Sequence, residues 1–172
     1  MKKELKIRFA NISDLPSIVN IYNQAIKSKW ATGDLEEFKV SDRIKWFEEF
    51  DSNEYPLYVA EFSNKLVGYC SLSPYRPGRK AMSRVAEISY YLDYSFHGKG
   101  IGSALLKHVI SDCNRIGKES LLAILIDKNT QSIGILEKFN FTKWGHFPEI
   151  IYIDGQACGH YIYGLKIQPE ND

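Results

Sequence analysis

The residues with the most chemical promise lie in "HGKGIGSALL", positions 97–106, where Gly98, Gly100 and Gly102 alternate directly before an amphipathic helical run. Glycine costs helix stability, so its crowding at a helix start calls for a reason. A turn without side chains exposes successive backbone N–H groups. The first N–H groups of a helix have no internal partner, and the helix end carries roughly +0.5 of a charge. Together they form an anion site suited to a phosphate or pyrophosphate; a tight, closely packed turn is the plainer alternative. Two familiar phosphate loops are excluded by spacing. A P-loop requires GxxxxGK[ST], and the Lys-Ser/Thr ending is missing; a dinucleotide fingerprint requires GxGxxG at the first turn of a βαβ fold, whereas GxGxG stands here past the middle of the chain. Glu87 is the next candidate. It is the one charge in "VAEISYYL", an odd place for a carboxylate unless it faces a cleft, the alternative being a sheet-edge glutamate pointing to water. Arg76, in "SPYRPGRK", either clamps an anion through its bidentate fork or is a solvated loop arginine. Arg79, Lys80 and Arg84 make this stretch basic, which favours an anionic ligand.

The elements that must position these residues read as follows. "LKIRFA" alternates and opens the chain as a strand; Ser13 then caps a helix in which Leu15, Ile18, Val19, Tyr22 and Ile26 follow helical spacing, with Pro16 in the first turn. A short helix follows Ser41, with Ile44, Phe47 and Phe50 on one side. "LYVAEF" and "LVGYCSL", joined by Ser63-Asn64-Lys65, form a hairpin, and "PYRPGRK" is a loop. "RVAEISYYL" is the strand that delivers the chain into the glycines, and the helix after them ends near Gly117. "SLLAILI" is a strand buried on both faces. Asn129 begins another helix, with Ile133, Leu136 and Phe139, that stops near Asn140; strands around "EIIYID" and "HYIYGLKI" close the chain before a frayed "QPEND". The order βααβββαβαββ describes a mixed α/β fold, expected to be a single domain over residues 1–172.

Composition narrows the classes further. A net charge of +1 with 25% charged residues, and no long basic block, argues against a nucleic-acid binder. Met1-Lys2-Lys3 has no apolar run behind it, so no signal peptide is expected, and no stretch approaches the ~18 apolar residues of a membrane span. Cys70, Cys113 and Cys158 are odd in number and widely spaced, and the four histidines form no HxH or HxxxH pair. Neither a disulfide framework nor a metal site is expected, and a reducing cytoplasm is the natural setting. The eleven Tyr, nine Phe and three Trp suit either a thick core or an aromatic-lined cleft; Trp30 reads as core before ligand wall.

"HGKGIGSALL" resembles the acetyl-CoA pyrophosphate loop of the GNAT superfamily of N-acetyltransferases, and "NTQSIGILEKFNF" resembles the helix that follows the next strand in that family. The element order agrees over about residues 5–167. "IRFANISDLPSIVNIYNQAI", "YPLYVAE", "SPYRPGRK", "VAEISYYL" and "FPEI" resemble, in order, segments of its phosphinothricin acetyltransferase-like branch. The resemblance implies a GNAT fold, a mixed central sheet flanked by helices, with acetyl-CoA as donor and no metal. It implies a small amine acceptor, the α-amino group of phosphinothricin, methionine sulfoximine, methionine sulfone or a similar analogue, and a cytoplasmic homodimer. It assigns the pyrophosphate to backbone N–H groups of Gly98, Lys99, Gly100, Ile101, Gly102 and Ser103, with His97 as the loop's first side-chain contact and Lys99 either adding charge or facing solvent. It sets the main chain of Tyr90, Tyr91 and Leu92 against the pantetheine arm, and Asn129 farther along it, where a plain helix N-cap is the other reading. Tyr75, Arg76, Glu87 and Ser89 are the implied substrate residues, and Glu87 aligns with the branch's proposed catalytic glutamate. An amine attacks a thioester only when neutral, and an α-amino group with pKa ~7.7–8 is mostly protonated at neutral pH, so a carboxylate in reach has a proton to accept.

Three positions depart from the family pattern. His97 replaces Arg or Gln, though a histidine can still donate to a phosphate. Leu136 stands where many members carry a tyrosine that protonates the departing thiolate, and Asn140 replaces the glycine of "LGF", which a left-handed helix end tolerates. The cysteines lie outside both motifs, which speaks for direct attack in a ternary complex over an acetyl-cysteine route. Acetylation of a protein N-terminus, a lysine or a polyamine stays open as the second enzymatic reading, although the basic loop disfavours polyamines. A non-catalytic acyl-CoA sensor is the rival from another class.

Overall fold

The structure, a computed structural model, describes residues 4–169; residues 1–3, and the last three residues of the expected frayed tail, lie outside the described residues. The observed order matches the expected one: β1 (Leu5–Phe9), α1 (Leu15–Lys27), α2 (Ile44–Glu48), β2 (Leu57–Phe62), β3 (Lys65–Pro74), β4 (Val85–Leu92), α3 (Ile101–Asp112), β5 (Ser120–Ile126), α4 (Thr130–Lys138), β6 (Thr142–Ile153) and β7 (Gln156–Lys166). The strands form one sheet in the order β1-β2-β3-β4-β5-β7-β6. Every neighbouring pair is antiparallel except β4 and β5 at the centre.

Alternation along the strands gives each face its own helices. Ala86 and Ile88 of β4, with Leu121, Ala123 and Leu125 of β5, pack against Leu105, Leu106 and Val109 of α3 and Leu136 of α4. On the opposite face Val59 and Tyr69 pack against Ile18, Tyr22 and Ile26 of α1. "SLLAILI" is buried on both sides, as its unbroken apolar run requires. The Ser63-Asn64 turn has positive φ at both residues (52° and 63°), the geometry that matches hairpin twist.

Two local expectations are corrected. Asn11, not Ser13, caps the first helix, because the chain enters α1 through a 3-10 turn at Ile12–Asp14. The Asn11 side chain accepts the Ser13 N–H at 3.0 Å, and the Asp14 carboxylate accepts the Asn11 N–H at 2.8 Å, a reciprocal box. Arg8 grips the same carboxylate at 2.7 and 2.9 Å and reaches Glu61 at 2.8 Å, tying β1, the start of α1 and β2 together. The second correction is at the C-terminus, where β6 begins at Thr142 and not near Glu149. Pro148 lies inside it; β6 is the outermost strand, and an edge tolerates a missing N–H. Register shifts between Lys143 and Gly145, and between Phe147 and Ile151, absorb the irregularity. β7 likewise starts earlier than expected, at Gln156.

Candidate active site

β4 and β5 pair over three rungs only: Val85 with Ser120, Ala86 with Leu121 and Glu87 with Leu122. β4 then runs on to Leu92 paired with β3 alone, and β5 to Ile126 paired with β7 alone. The strands diverge, and along Ile88–Leu92 alternate peptide groups, those not turned toward β3, face the gap at the centre of the sheet.

The end of β4 is fixed by Asp93, buried, which accepts the Ser95 N–H at 2.9 Å and pairs with Lys65 at 2.8 Å. Burial pushes this carboxyl up, but those partners outweigh it and hold it below the usual carboxylate range. The loop then turns through Gly98 (φ 73°) and Gly100 (φ 77°), a left-handed geometry costly for other residues. No neighbouring atom lies within 4 Å of where a Cβ would stand at either, so the loop faces open space. No side chain caps α3 at Gly100, leaving its first N–H groups outward. Gly102 differs, because a Cβ there would meet Leu92 and Ile135 at 3.1 and 3.2 Å. Two glycines thus answer to an exposed backbone and the third to close packing.

From this loop an outer groove of about 120 Å³ runs along Tyr90, Tyr91, Leu92, His97, Gly102, Asn129 and Ser132. An inner cavity of about 60 Å³ continues into the β4–β5 gap among Ile88, Ser89, Ala123, Ile124, Leu125 and Leu136. Of the sequence-derived donor-side residues, Tyr90, Tyr91, Leu92, His97, Gly102 and Asn129 line this path, whereas Gly98, Lys99, Gly100, Ile101 and Ser103 line neither cavity. The Ile101 side chain is core, so only its backbone faces the loop. Lys99 donates to the Ser95 carbonyl at 3.0 Å and lies over the Phe96 ring. The His97 side chain, expected to donate to a phosphate, is otherwise engaged: Nδ1 accepts from Gln131 at 3.2 Å and Nε2–H donates to the Leu92 carbonyl at 3.3 Å, the one tautomer that satisfies both. Asn129 is the N-cap of α4, its side chain accepting the Ser132 N–H at 3.2 Å, and it lines both cavities.

Glu87 stands on the last paired rung, where the gap opens. Its parity along β4 sets it with Ser89 and Tyr91 on the α1 face, opposite Ala86 and Ile88. It is half-buried, makes no hydrogen bond or ion pair among the described residues, and burial raises its carboxyl above the ordinary glutamate range. Ser73 of β3 pairs with Glu87 and Pro74 with Ala86, so Tyr75 and Arg76 follow directly past that rung; Tyr75 is half-buried and Arg76 exposed. Trp30 packs with Ile126, Ile153 and Cys158, beneath the Lys128 ammonium at 4.6 Å, in keeping with its core reading. The three cysteines are buried and free. Among the described residues no group of three metal-binding side chains occurs, and no helix is long and apolar enough to cross a membrane.

Sequence reasoning missed Ser132, Ile135 and Ala31 as lining residues. Ser132 was findable, lying three positions after Asn129 and four before Leu136 on one helix face; Ala31 carried no local signal.

The profile of the acetyltransferase (GNAT) family matches residues 15–141. YwnH of Bacillus subtilis, named as a candidate phosphinothricin acetyltransferase, is 37% identical over 164 residues, 95% of this chain and 99% of its own. An L-methionine sulfoximine/L-methionine sulfone acetyltransferase of Pseudomonas aeruginosa is 30% identical over 157 residues, 91% of this chain and 88% of its own. The crystal structure of a GNAT superfamily phosphinothricin acetyltransferase from Sinorhizobium meliloti, in complex with acetyl-CoA, superposes with a TM-score of 0.89 at 26% identity, covering 95% of this chain and 88% of that one.

Proposed function

Because the chain belongs to the GNAT family and is an acetyl-CoA-dependent N-acetyltransferase, we propose that its acceptor is the amino group of a small amino acid or analogue, of the phosphinothricin or methionine sulfoximine type. The single observation that carries the reading is the three-rung pairing of β4 and β5. It leaves a backbone edge beside a groove that begins near a bare helix N-terminus and runs into the β4–β5 gap, with an unpaired glutamate on the last rung before that gap. An extended amide-bearing arm with a diphosphate at one end has partners along all of that path, so these residues fit acetyl-CoA. Backbone N–H groups of Gly98–Ser103 hold the diphosphate. The main chain of Tyr90–Leu92 holds the arm, with Asn129 beside it. Bound there, the donor supplies an activated acetyl group.

The chain's own residues do the rest. Glu87 accepts the proton the amine must lose, and its raised pKa brings it nearer the ammonium's ~7.7–8.0 than an ordinary carboxylate. Ser89 shares its face, Tyr75 walls the site, and Arg76 takes the acceptor's carboxylate or phosphinate. Direct attack is favoured over an acyl-cysteine because burial raises the thiols of Cys70, Cys113 and Cys158. Similarity to the B. subtilis and P. aeruginosa relatives supports the acceptor class. A cytoplasmic homodimer is part of the same reading. Trp144, Phe147, Ile150 and Tyr152 expose large apolar side chains on the edge strand β6, and light scattering of the purified chain tests the dimer.

The deciding experiment is thiol release from acetyl-CoA with phosphinothricin, methionine sulfoximine, methionine sulfone, ordinary amino acids, spermidine and a short peptide. Saturable turnover on the first three is expected. Turnover confined to spermidine or peptide would overturn the acceptor class, and silence throughout with tight acetyl-CoA binding would favour a sensor.

A further inference from the structure

A departing thiolate needs a partner, and Leu136, fully buried at the position where the family resemblance implies a tyrosine, donates nothing. One helical turn earlier the Ser132 hydroxyl meets the Tyr90 hydroxyl at 2.6 Å, bridging α4 and β4. Both residues line the outer groove and the inner cavity, so the pair stands where the two join. Two hydroxyls carry two protons, and their mutual hydrogen bond uses one. If Ser132 donates, the Tyr90 proton has only the Ser132 backbone carbonyl at 3.4 Å, the outer limit of a hydrogen bond. If Tyr90 donates, the Ser132 proton has no acceptor among the described residues. Either way one O–H is uncommitted at the junction.

We propose that the Tyr90–Ser132 hydroxyl pair hydrogen-bonds the sulfur of acetyl-CoA as it leaves, in place of the missing tyrosine. This rests on the acetyl-transfer reading above. In the step, the amine nitrogen's lone pair forms the C–N bond to the thioester carbonyl carbon. The C–S bond breaks with its electron pair passing to sulfur, and the amine proton goes to Glu87. The uncommitted O–H donates a hydrogen bond to the sulfur and keeps its proton. The thiolate is then protonated from water and Glu87 returns its proton to water, so the sum is amide plus free thiol. Retention of the proton agrees with burial, which holds the Tyr90 phenol well above its ordinary range although the Ser132 hydrogen bond opposes it.

The test reads the sulfur directly. CoA bound to wild-type, Tyr90→Phe and Ser132→Ala proteins is titrated by thiolate absorbance, with bound desulfo-CoA as the blank. The blank cancels Tyr91, Tyr94 and His97, the other titratable groups of the groove. The bound thiol is expected to ionise at lower pH than free CoA in wild type and to move back toward the free value in both variants. In turnover, Tyr90→Phe is expected to lower kcat about 10–100-fold with KM for acetyl-CoA within about twofold, and Ser132→Ala to do less. Identical thiol titrations in all three proteins would overturn the proposal, as would a kcat for Tyr90→Phe within about twofold of wild type. A wild-type protein that releases no thiol with any amine would sink the acetyl-transfer reading instead, while the thiolate titration would still decide for or against the pair.

Discussion

Glu87 shows how one carboxylate trades stability for chemistry. It was legible in the sequence as a lone charge in an apolar strand, because burying a carboxylate without a partner is costly enough to need a use. Folding raises its pKa, so the fold favours the neutral acid. That contribution is whole below the ordinary glutamate pKa and fades as pH rises through the folded value. Glu87→Gln is therefore expected to lower kcat by about 10²–10⁴ while leaving acetyl-CoA binding near normal. Its melting temperature should match wild type near about pH 4 and exceed it at about pH 8. A kcat that keeps the wild-type value and pH dependence in this variant would remove Glu87 from the chemistry. Tyr90 and Ser132 were not legible in the same way. Their hydroxyls are 42 residues apart in the chain and meet only because the fold brings α4 beside β4.

At the level of elements, the sequence was most informative where local backbone demands are strict. Gly98 and Gly100 declare a left-handed loop, and Asn140, at φ 63°, ends α4 in the conformation that asparagine accepts. It was least informative where tertiary position overrides local preference. Pro148 reads as a break, yet on an edge strand it costs no ladder hydrogen bond, so β6 runs through it. Likewise the 3-10 turn before α1 moves the cap from Ser13 to Asn11, a choice made by the Arg8–Asp14–Glu61 cluster and invisible to spacing alone. Gly100→Ala isolates the loop's contribution, because the space beside it is open and only φ is penalised. Such a change should cost about 1–2 kcal/mol of stability. It should also raise KM for acetyl-CoA while leaving KM for the acceptor unchanged, measured with each substrate varied at saturation of the other. Equal effects on both would mean that the loop serves the fold and not the donor.

On the scale of the whole molecule, the sheet is two halves joined by three rungs and by the helices that straddle them. The order of elements was readable from hydrophobic periodicity and turn signals, but the divergence of β4 from β5 was not, since nothing in "VAEISYYL" or "SLLAILI" says where pairing stops. That divergence has a thermodynamic face. A ligand that satisfies the gap-facing Ile88–Leu92 amides binds the native chain and not the unfolded one, so folding and occupancy share one equilibrium. At about 100 times its dissociation constant the donor should add about 2.7 kcal/mol, which in a protein of this size raises the melting temperature by roughly 5–10 °C. Hydrogen exchange should slow at the gap-facing amides of this stretch before it slows elsewhere. An unshifted melting temperature under saturation would separate binding from the sheet. If the shift is found, the donor widens the enzyme's margin against unfolding as well as feeding its chemistry, and withdrawing coenzyme A thioesters narrows that margin.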